Sequence, residues 1–518
     1  MRKLWLGPLA LAIATAASPS RAAEAPVVQV SQGDVAGSMI DGYAVFRGIP
    51  YAAPPVGPLR WRAPQPVAAW EGVRPATGFG PMCAQPDPKN GTLKGQEDCL
   101  TVNVWTPDTK PAAKRPVMVW IHGGAFFVGN GAQWLDQGIS ALSKEGVVLV
   151  SFNYRLGRFG FFAHPALTKE HPEEGTGNFW LMDQIAALKW VRENIGAFGG
   201  DPNNVTIFGV SAGGTSVNAL VASPEARGLF EKAIAMSGGS LFNATKSLAD
   251  AEQVGEQVAE RAGATGPDAI GKLRSMSAAQ IIANEKGPPA YGAIIDGMVL
   301  TDALPASFSK GNIADVAYMA GSTSNEFVIF GMMGFTGKTL EDRFGVDMAA
   351  ARKVYEADGA LDEDALVSQV GTDFIFTAGA QGLAAMAARN GHDAYTYELS
   401  YVASPWRGKI AGVPHGGDQM YLFGLDYRPE GDRMAGTYDP APSEKDRQVA
   451  AAMRGYWVNF ARTGDPNGPG LPAWGKHAPP APETLVIGDD IRSVPDFRKD
   501  RLQLWFDKWQ AETGLTVE

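Results

Sequence analysis

The sequence predicts an α/β protein with a large, mostly parallel central sheet and helices on both faces of that sheet. Short apolar runs rich in β-branched residues are typical of strands buried on both faces, and four such runs occupy residues 117–121, 147–152, 205–208 and 316–319. Between the second and third runs, residues 181–195 carry apolar side chains at helical spacing. Strand, helix and strand in this order predict parallel strands joined by crossover helices. Residues 395–399 and 484–487 add further strands.

Length and composition favour one large domain with insertions. The chain has 518 residues, of which 45% are hydrophobic and 19% charged, with 62 glycines and 36 prolines. This composition is typical of a loop-rich globular protein and not of a disordered chain or a coiled coil. Since no linker clearly divides the chain, we expect a single domain over residues 24–518. The Pro-rich segment 50–66 and the polar loop 83–99 would then be surface additions.

Residues 1–23 are typical of a signal peptide for export. A basic start at Arg2 and Lys3 precedes an apolar stretch and a small-residue cleavage site near Ala22 or Ala23. A membrane anchor is the alternative, but about fourteen apolar residues interrupted by glycine and proline are too few to span a bilayer. We therefore expect an exported protein, periplasmic or secreted, without stable membrane insertion.

The acidic charge of the chain disfavours some partners. The net charge is −10, and it becomes −13 when the three basic residues of the export segment are removed. This balance disfavours nucleic acid and anionic membranes as partners, so a small neutral substrate fits better. The six histidines are scattered, and two cysteines without a nearby histidine make a poor zinc site. We expect no catalytic metal and no other cofactor.

The two cysteines, Cys83 and Cys99, are expected to form one disulfide. In an exported chain an even, closely spaced pair is best explained this way. Closing a loop of this length stabilises the fold by roughly 3 kcal/mol on the chain-entropy estimate.

The pentapeptide at residues 209–213 predicts a nucleophile. It reads Gly-Val-Ser-Ala-Gly and lies between an apolar run and a small-residue stretch typical of a helix. In a G-x-S-x-G elbow the turn is so tight that it needs glycine on both sides, and the strain exposes the serine Oγ above the sheet. Ser211 is therefore the candidate nucleophile, although a Gly-rich turn without chemistry is the alternative.

A serine nucleophile needs a general base and a carboxylate, which in this fold class follow it in the order serine, acid, histidine. Three histidines follow Ser211, namely His392, His415 and His477. His415 lies in a glycine-flanked loop that can approach another backbone, so it is the best candidate base. The other two could be ordinary surface histidines.

The orienting carboxylate should come from a loop beyond a strand end. Glu326 follows the run at 316–319 and is the candidate, whereas Asp418 and Asp315 are the fallback carboxylates. Its role would be to accept a hydrogen bond from the base and to stabilise the imidazolium. A helix-capping or solvated glutamate is the alternative.

Acyl transfer also needs donors for the oxyanion. His122-Gly123-Gly124-Ala125 follows the run at 117–121 directly, which is where an HGGG-type loop supplies backbone N–H groups. We assign Gly124 and Ala125 to this role, together with Ala212 just after the serine. His122 itself is expected to anchor the loop.

Further motifs occur along the chain in a fixed order. They are FRGIPYA at 46–52, PPVG at 54–57, EDCLTVNV at 97–104, NYRLG at 153–157, DQ at 183–184, FGVSAGG at 208–214, SNE at 324–326 and HG at 415–416. Together they resemble the signatures of the type-B carboxylesterase and cholinesterase family of α/β-hydrolases. The only departure in the oxyanion loop is Ala125, which stands where many relatives have a third glycine but keeps its N–H.

This resemblance implies an α/β-hydrolase fold with long loop and helix insertions over the active site. It implies a Ser211, Glu326, His415 triad, a three-donor oxyanion hole and the disulfide predicted above. It also implies a polar surrounding of the triad by Ser237 and Asp418. The structural ion pairs that it implies are Arg60 with Glu97 and Arg155 with Asp183.

The expected reaction is hydrolysis of carboxylic esters of small to medium size, largely apolar or aromatic. Six aromatic residues near the catalytic segments are candidates for an apolar pocket or, equally, for the core: Phe126, Phe127, Trp180, Phe242, Phe327 and Phe330. Met332 and Met333 are similar candidates. Specialised detoxifying esterases, amidases and thioesterases are alternatives. A lipase with interfacial activation is disfavoured because the sequence has no long amphipathic lid, although a lid could lie within residues 65–95 or 330–360. A catalytically dead binding module is disfavoured because all three triad residues are present. The sequence does not specify the oligomeric state.

Overall fold

The computed structural model describes residues 25–136, 138–242, 245–285, 291–357, 359–425 and 441–517. The expected signal peptide, residues 1–23, lies outside the described residues.

Eleven strands form one large sheet in the described part of the chain, and smaller sheets lie beside it. In chain order the strands are β1 (Val27–Val30), β2 (Gly33–Ala36), β3 (Ser38–Ile40), β4 (Tyr43–Pro50), β5 (Val73–Pro75), β6 (Gln85–Pro86), β7 (Leu93–Lys94), β8 (Thr101–Thr106), β9 (Arg115–Ile121), β10 (Val148–Phe152), β11 (Gly200–Val210), β12 (Lys232–Met236), β13 (Lys246–Ser247), β14 (Ile294–Ile295), β15 (Ala317–Thr323), β16 (Ala394–Leu399), β17 (Glu483–Ile487) and β18 (Ile491–Pro495). The large sheet has the order β18-β17-β16-β15-β12-β11-β9-β10-β8-β4-β3. From β10 to β17 every neighbouring pair is parallel, and the pairs at both edges are antiparallel.

The strand predictions are confirmed, because each apolar run named above falls within a parallel strand to within a residue or two. The predicted helix at 181–195 is also confirmed. In chain order the α-helices of the described residues are α1 (Gly157–Gly160), α2 (Pro165–Glu170), α3 (Phe179–Asn194), α4 (Ala212–Ala222), α5 (Leu248–Arg261), α6 (Ala269–Ser275), α7 (Ala278–Ala283), α8 (Leu304–Ser309), α9 (Val328–Met332), α10 (Gly337–Phe344), α11 (Met348–Tyr355), α12 (Glu363–Thr372), α13 (Ala378–Arg389), α14 (Asp418–Phe423), α15 (Glu444–Thr463) and α16 (Lys499–Thr513).

The sheet has a hydrophobic core on each face. Successive strand side chains point to opposite faces, so Val117, Val119 and Ile121 of β9 enter one core while Met118 and Trp120 enter the other. Residues of α3, α4, α13 and α16 belong to the first core, and residues of α14 and α15 belong to the second. The central strands are therefore covered on both faces, which is why their sequences are continuously apolar.

The register of the central strands brings several loops to one edge. Val210 at the end of β11 pairs with Met236 at the end of β12, and Met236 pairs with Gly321 of β15. Parallel strands end at the same edge of a sheet, so Ser211 and Ser237 leave it side by side. The segment that contains Glu326 leaves the same edge after β15.

One disulfide and two ion pairs near the amino-terminal end of the described chain agree with the predictions. Cys83 and Cys99 form a disulfide. Arg60 is paired with Glu97 at 2.5 Å, and the buried Arg155 is paired with Asp183 at 2.7 Å. Among the described helices, none is both long and apolar enough to cross a membrane.

Candidate active site

Ser211 occupies a strained turn between β11 and α4. Its φ is +59° and its ψ is −123°, a backbone conformation that residues with a Cβ rarely adopt. The Ser211 N–H donates to the Met236 carbonyl at 2.9 Å, so the turn is bonded to the end of the neighbouring strand. The predicted strand–turn–helix context of the serine is therefore present.

The glycines on either side of Ser211 are required by close backbone contacts. A Cβ at Gly213 would lie 2.1 Å from the Ile121 carbonyl oxygen, and one at Gly209 would lie 2.6 Å from the same oxygen. Both distances are too short for non-bonded atoms, so larger residues would push the elbow away from β9. The end of β9 and the serine turn can thus lie in contact because residues 209 and 213 have no side chain.

His415 and Glu326 meet although they lie on separate loops. The Asn325 N–H donates to the Val413 carbonyl at 2.9 Å, and the Val413 N–H donates to the Ser324 Oγ at 3.0 Å. These bonds align the two loops so that His415 Nδ1 lies 2.5 Å from Glu326 Oε2. A carboxylate at this position fixes the imidazole tautomer with its proton on Nδ1 and leaves Nε2 as the base.

The second oxygen of Glu326 is bonded to the framework of the sheet. Ser237 Oγ donates to Glu326 Oε1 at 2.6 Å, and the Thr323 N–H donates to the same oxygen at 2.6 Å. Ser237 follows Met236, whose carbonyl accepts from Ser211. A continuous path of bonds therefore leads from the serine turn through Ser237 and Glu326 to the imidazole.

The charges around His415 favour its protonated form. Burial lowers the pKa of the His415 imidazole, but the Glu326 carboxylate, helped by Asp418, outweighs it and leaves the pKa above its usual value. Asp418 is itself fully buried; burial, together with the Glu326 charge, raises the pKa of Asp418 to about 7. Its Oδ2 accepts from the Tyr397 hydroxyl at 3.0 Å, while its Oδ1 has no partner among the described residues.

The loop after β9 places free N–H groups next to the serine. A Cβ at Gly123 would lie 3.2 Å from the Cβ of Ser211, so this loop lies against the elbow. Within the described chain, the N–H groups of Gly124, Ala125 and Ala212 donate to no backbone or side-chain acceptor. Gly124 has a φ of +111° and Ala125 has a φ of +53°, and Ala125 is exposed.

His122 anchors this loop, as expected. Its ring is buried and stacks on Tyr154 at 4.4 Å, and its Nδ1 is 2.8 Å from the Gly123 carbonyl. Burial lowers the pKa of His122 to about 4. It is therefore neutral near pH 7 and holds the loop through packing and one hydrogen bond.

The alternative bases and one fallback acid have other partners. His392 pairs with Asp315 at 3.4 Å. His477 is buried, and its Nδ1 lies 3.1 Å from the Thr396 hydroxyl oxygen. Burial lowers the pKa of His477 to about 4. Of the three histidines after Ser211, only His415 is paired with the candidate acid Glu326 in the structure.

The six candidate pocket residues do not form one cluster. Trp180 is fully buried and stacks on Phe161, with Phe126 against both rings. Phe127 joins this group through Tyr291, whose ring contacts both Phe127 and Phe161. The other three lie elsewhere: Phe242 stacks on Phe374, and Phe327 stacks on Phe330. Met332 and Met333, beyond Phe330, are 68% and 64% exposed.

Sequence reasoning missed Phe376, which lies against the candidate base. Its ring centroid is 4.8 Å from that of His415 and 5.9 Å from that of Phe330. It also missed Tyr397, the hydroxyl partner of Asp418. No motif identifies either residue, because both approach the site from elements distant in sequence.

One group of side chains in the described residues could bring three ligand atoms together for a metal ion. His171, Glu173 and Glu174 place such atoms within 4.8 Å of one another. Glu174 already accepts hydrogen bonds from Arg62, and Glu173 is exposed. The group shares no residue with the candidate active site.

Comparison with known proteins shows which family the chain resembles over most of its length. A model of the carboxylesterase family matches residues 24–505. The chain is 35% identical over 441 residues to the fumonisin B1 esterase of Sphingopyxis macrogoltabida, covering 82% of this chain and 79% of that protein. It is 33% identical over 503 residues to the para-nitrobenzyl esterase of Bacillus subtilis, and the match covers 93% of this chain and 98% of that protein. A solved carboxylesterase of Geobacillus stearothermophilus matches with a TM-score of 0.78 and 33% identity over 92% of this chain and 99% of that chain. The expected α/β-hydrolase fold is confirmed.

Proposed function

Because this chain belongs to the carboxylesterase family and is a carboxylic ester hydrolase, we propose that it works through an acyl-enzyme on Ser211. In this proposal His415 is the general base and Glu326 is the carboxylate that orients it. The observation that carries the proposal is the 2.5 Å contact between His415 Nδ1 and Glu326 Oε2. Hydrogen bonds through Ser237 and Met236 connect this pair to the strained serine turn.

The reaction proceeds in two halves. His415 Nε2 takes the Ser211 hydroxyl proton as Oγ attacks the ester carbonyl carbon, and the imidazolium then returns that proton to the departing alcohol. A water molecule, deprotonated by the same imidazole, then attacks the acyl-enzyme and releases the carboxylic acid. Glu326 stays ionised and stabilises the imidazolium in each half.

The carbonyl oxygen becomes negatively charged when the tetrahedral intermediate forms. The N–H groups of Gly124, Ala125 and Ala212 are free to donate to it, and they belong to two segments that lie in close contact. Preorganised donors of this kind contribute about 3 to 4 kcal/mol each to transition-state stabilisation. Ser237 and Asp418 act on the reaction only through Glu326 and His415.

The substrate class that we propose is a small to medium ester with a neutral, apolar or aromatic group. Two observations support it: Phe376 and Phe330 extend from the His415 ring as a line of aromatic contacts, and the chain carries a net charge of −10. A relative named para-nitrobenzyl esterase also supports an aromatic ester.

A specialised detoxifying esterase is the second candidate. It is favoured by the 35% identity to the fumonisin B1 esterase of Sphingopyxis macrogoltabida. A panel of kcat/KM values for p-nitrophenyl acetate, butyrate and octanoate, p-nitrobenzyl acetate and fumonisin B1 separates the two. The highest value on a simple aromatic ester supports the first candidate, and the highest value on fumonisin B1 supports the second.

We also propose that the mature protein is exported and begins near residue 23. Disulfides persist chiefly in oxidising compartments outside the cytosol, and the Cys83–Cys99 bond fits that location. Amino-terminal sequencing of the protein from its native host tests this proposal.

The assignment of the base can be tested with a matched pair of histidine variants. Diethyl p-nitrophenyl phosphate should phosphorylate Ser211 once per chain, and peptide mapping should locate the label within residues 209–213. His415→Asn should abolish labelling and turnover, whereas His392→Asn should keep both because His392 pairs with Asp315. Labelling at another serine, or equal activity in both variants, would reject the proposed triad.

A further inference from the structure

A long helix with an irregular centre lies behind the candidate acid and base. Helices α12 and α13 are joined by a π-helical turn at Asp373–Thr377, in which the Ala378 N–H donates to the carbonyl of Asp373, five residues back. Single π-helical turns within α-helices occur frequently at functional sites. We refer to residues 363–389 as the platform helix.

The platform helix is bonded to the loop on both sides of Glu326. Ser368 Oγ donates to Asn325 Oδ1 at 2.8 Å, and the Phe327 N–H donates to Thr372 Oγ1 at 3.1 Å. The backbone that carries Glu326 therefore has a fixed position relative to the helix.

The π-helical turn also reaches the base itself. Phe376 is 7% exposed, and its ring lies 4.8 Å from the His415 ring at an interplanar angle of 41°. In the described part of the chain it is the one aromatic ring packed against His415. The hydrogen bond to Glu326 fixes one end of the imidazole but not the tilt of the ring about that bond.

Buried contacts anchor the turn on its other side. The fully buried Asp373 pairs with Arg498 at 2.6 Å and accepts from the Tyr355 hydroxyl at 2.9 Å. Phe374 packs on Phe242 at 4.3 Å. The two phenylalanines of one turn thus have separate neighbours: Phe374 contacts the core, and Phe376 contacts the base.

We propose that Phe376 is a positioning residue for ester hydrolysis, whose ring holds the His415 imidazole at the tilt needed to take the Ser211 proton. This inference rests on the proposed roles of Ser211 and His415. Removing the ring would leave a space beside the imidazole into which it could tilt and water could enter. A displacement of about 1 Å in a reacting group can cost on the order of 100-fold in rate.

The test compares Phe376→Ala with Phe374→Ala, two identical truncations in one turn. We expect Phe376→Ala to lower kcat for p-nitrophenyl butyrate, and the rate of phosphorylation by diethyl p-nitrophenyl phosphate, by on the order of tenfold or more. The acid limb of its kcat/KM profile, the pH range over which activity rises as His415 loses its proton, should move to higher pH. Water beside the imidazole would weaken the effect of burial, while Glu326 and Asp418 would still favour the protonated ring. Phe374→Ala should lower Tm but leave both rates and the acid limb close to those of the wild type.

If Phe376→Ala does not fold, Phe376→Leu supplies the test. Leucine fills most of the volume of the ring, so this variant should show a smaller loss of rate and a smaller shift of the acid limb in the same direction. Wild-type rates and an unchanged acid limb in the Phe376 variant, or losses equal to those of Phe374→Ala, would overturn the positioning role. Ser211→Ala is measured in the same series. Turnover in that variant would reject the proposed function itself, whereas an inactive Ser211→Ala beside a fully active Phe376 variant would reject only this inference.

Discussion

At the scale of single residues, the candidate site holds two carboxyl groups and one imidazole whose charges depend on one another. Glu326 is bonded to His415, and Asp418 lies close enough to affect the pKa of His415 without a hydrogen bond to it. An ionised Asp418 favours the imidazolium, so it raises the pH needed to free the base. Asp418 therefore influences the pH range of activity although it touches no reacting atom.

The first prediction concerns this pH range. Activity should rise with pH as His415 loses its proton, with a midpoint above the usual histidine pKa of about 6.5 because Glu326 raises it. Asp418→Asn should move this acid limb to lower pH, since one negative charge near the imidazole is removed. The measurement is kcat/KM for p-nitrophenyl butyrate from pH 5 to pH 9, with Asp315→Asn as the control. An acid limb that stays in place or moves upward in Asp418→Asn would contradict the assigned electrostatics.

The second prediction concerns stability. The pKa of Asp418 is about 7 in the folded protein and about 3.9 in the unfolded chain, so folding favours its protonated form. The stability that this proton contributes is fully present below about pH 4 and is lost as the pH rises towards 7. Asparagine cannot ionise, so Asp418→Asn should gain unfolding free energy relative to the wild type between pH 5 and pH 8, by up to about 4 kcal/mol. Urea unfolding of both proteins at pH 5 and pH 8 measures this difference. An Asp418→Asn variant with a lower unfolding free energy than the wild type at pH 8 would refute the prediction.

The residues of the site differed in how far they could be predicted. Ser211 could be identified from five consecutive residues, because the elbow is a local structure. The pairing of His415 with Glu326 spans 89 positions and depends on bonds between their two loops. Spacing alone left other bases and acids open, and the family resemblance selected between them.

At the scale of structural elements, the loop after β9 is the most sensitive to a small change. Gly124 has a φ of +111°, and a Cβ there would lie 1.9 Å from the Val128 carbonyl oxygen. The carbonyl of Gly124 also accepts the N–H groups of Phe127 and Val128, both at 2.9 Å. The loop that we propose as the source of oxyanion donors can therefore keep its shape only with glycine at this position.

The third prediction follows from that constraint. Gly124→Ala should displace the loop and lower kcat by on the order of 100- to 1,000-fold, the usual cost of losing an oxyanion donor. Ala125→Gly is the matched control, because it keeps the N–H and removes only an exposed methyl group, and it should retain most of its activity. Steady-state kinetics on p-nitrophenyl acetate compare them, and a fully active Gly124→Ala enzyme would show that the loop plays no part.

Elements with a strong hydrophobic pattern could be predicted, whereas an irregular one could not. The runs in β9, β10, β11 and β15 are continuously apolar because both faces of the sheet are covered. The π-helical turn at Asp373–Thr377 has no such signal, since its sequence DFIFT also suits a regular helix. Phe376 was missed for that reason.

At the scale of the whole molecule, the candidate site lies at one edge of the large sheet. The amino-terminal part of the chain is stabilised by other contacts. The disulfide between Cys83 and Cys99 and the Arg60–Glu97 pair do not touch the triad residues. The general plan, a parallel sheet with crossover helices, was predictable from pattern and chain order. The antiparallel strands at both sheet edges were not, because short edge strands such as β3 carry little pattern of their own. The single-domain extent of residues 24–518 stays a prediction.

The fourth prediction separates stability from catalysis at this scale. The double variant Cys83→Ser, Cys99→Ser should lose roughly 3 kcal/mol of unfolding free energy, because the unfolded chain regains the freedom of a sixteen-residue loop. Its kcat at 25 °C should stay near the wild-type value. Urea unfolding and steady-state kinetics together test this, and an inactive but equally stable variant would contradict it.

The central claim is that Ser211 forms the acyl-enzyme, and the most direct measurement is rapid-mixing kinetics of p-nitrophenyl acetate with the wild type and Ser211→Ala. The wild type should release one p-nitrophenol per chain in a burst that precedes steady turnover. Ser211→Ala should fold, show no burst and turn over at least about 10,000-fold more slowly, the usual cost of losing a triad nucleophile. A burst or near-wild-type turnover in folded Ser211→Ala would contradict the account.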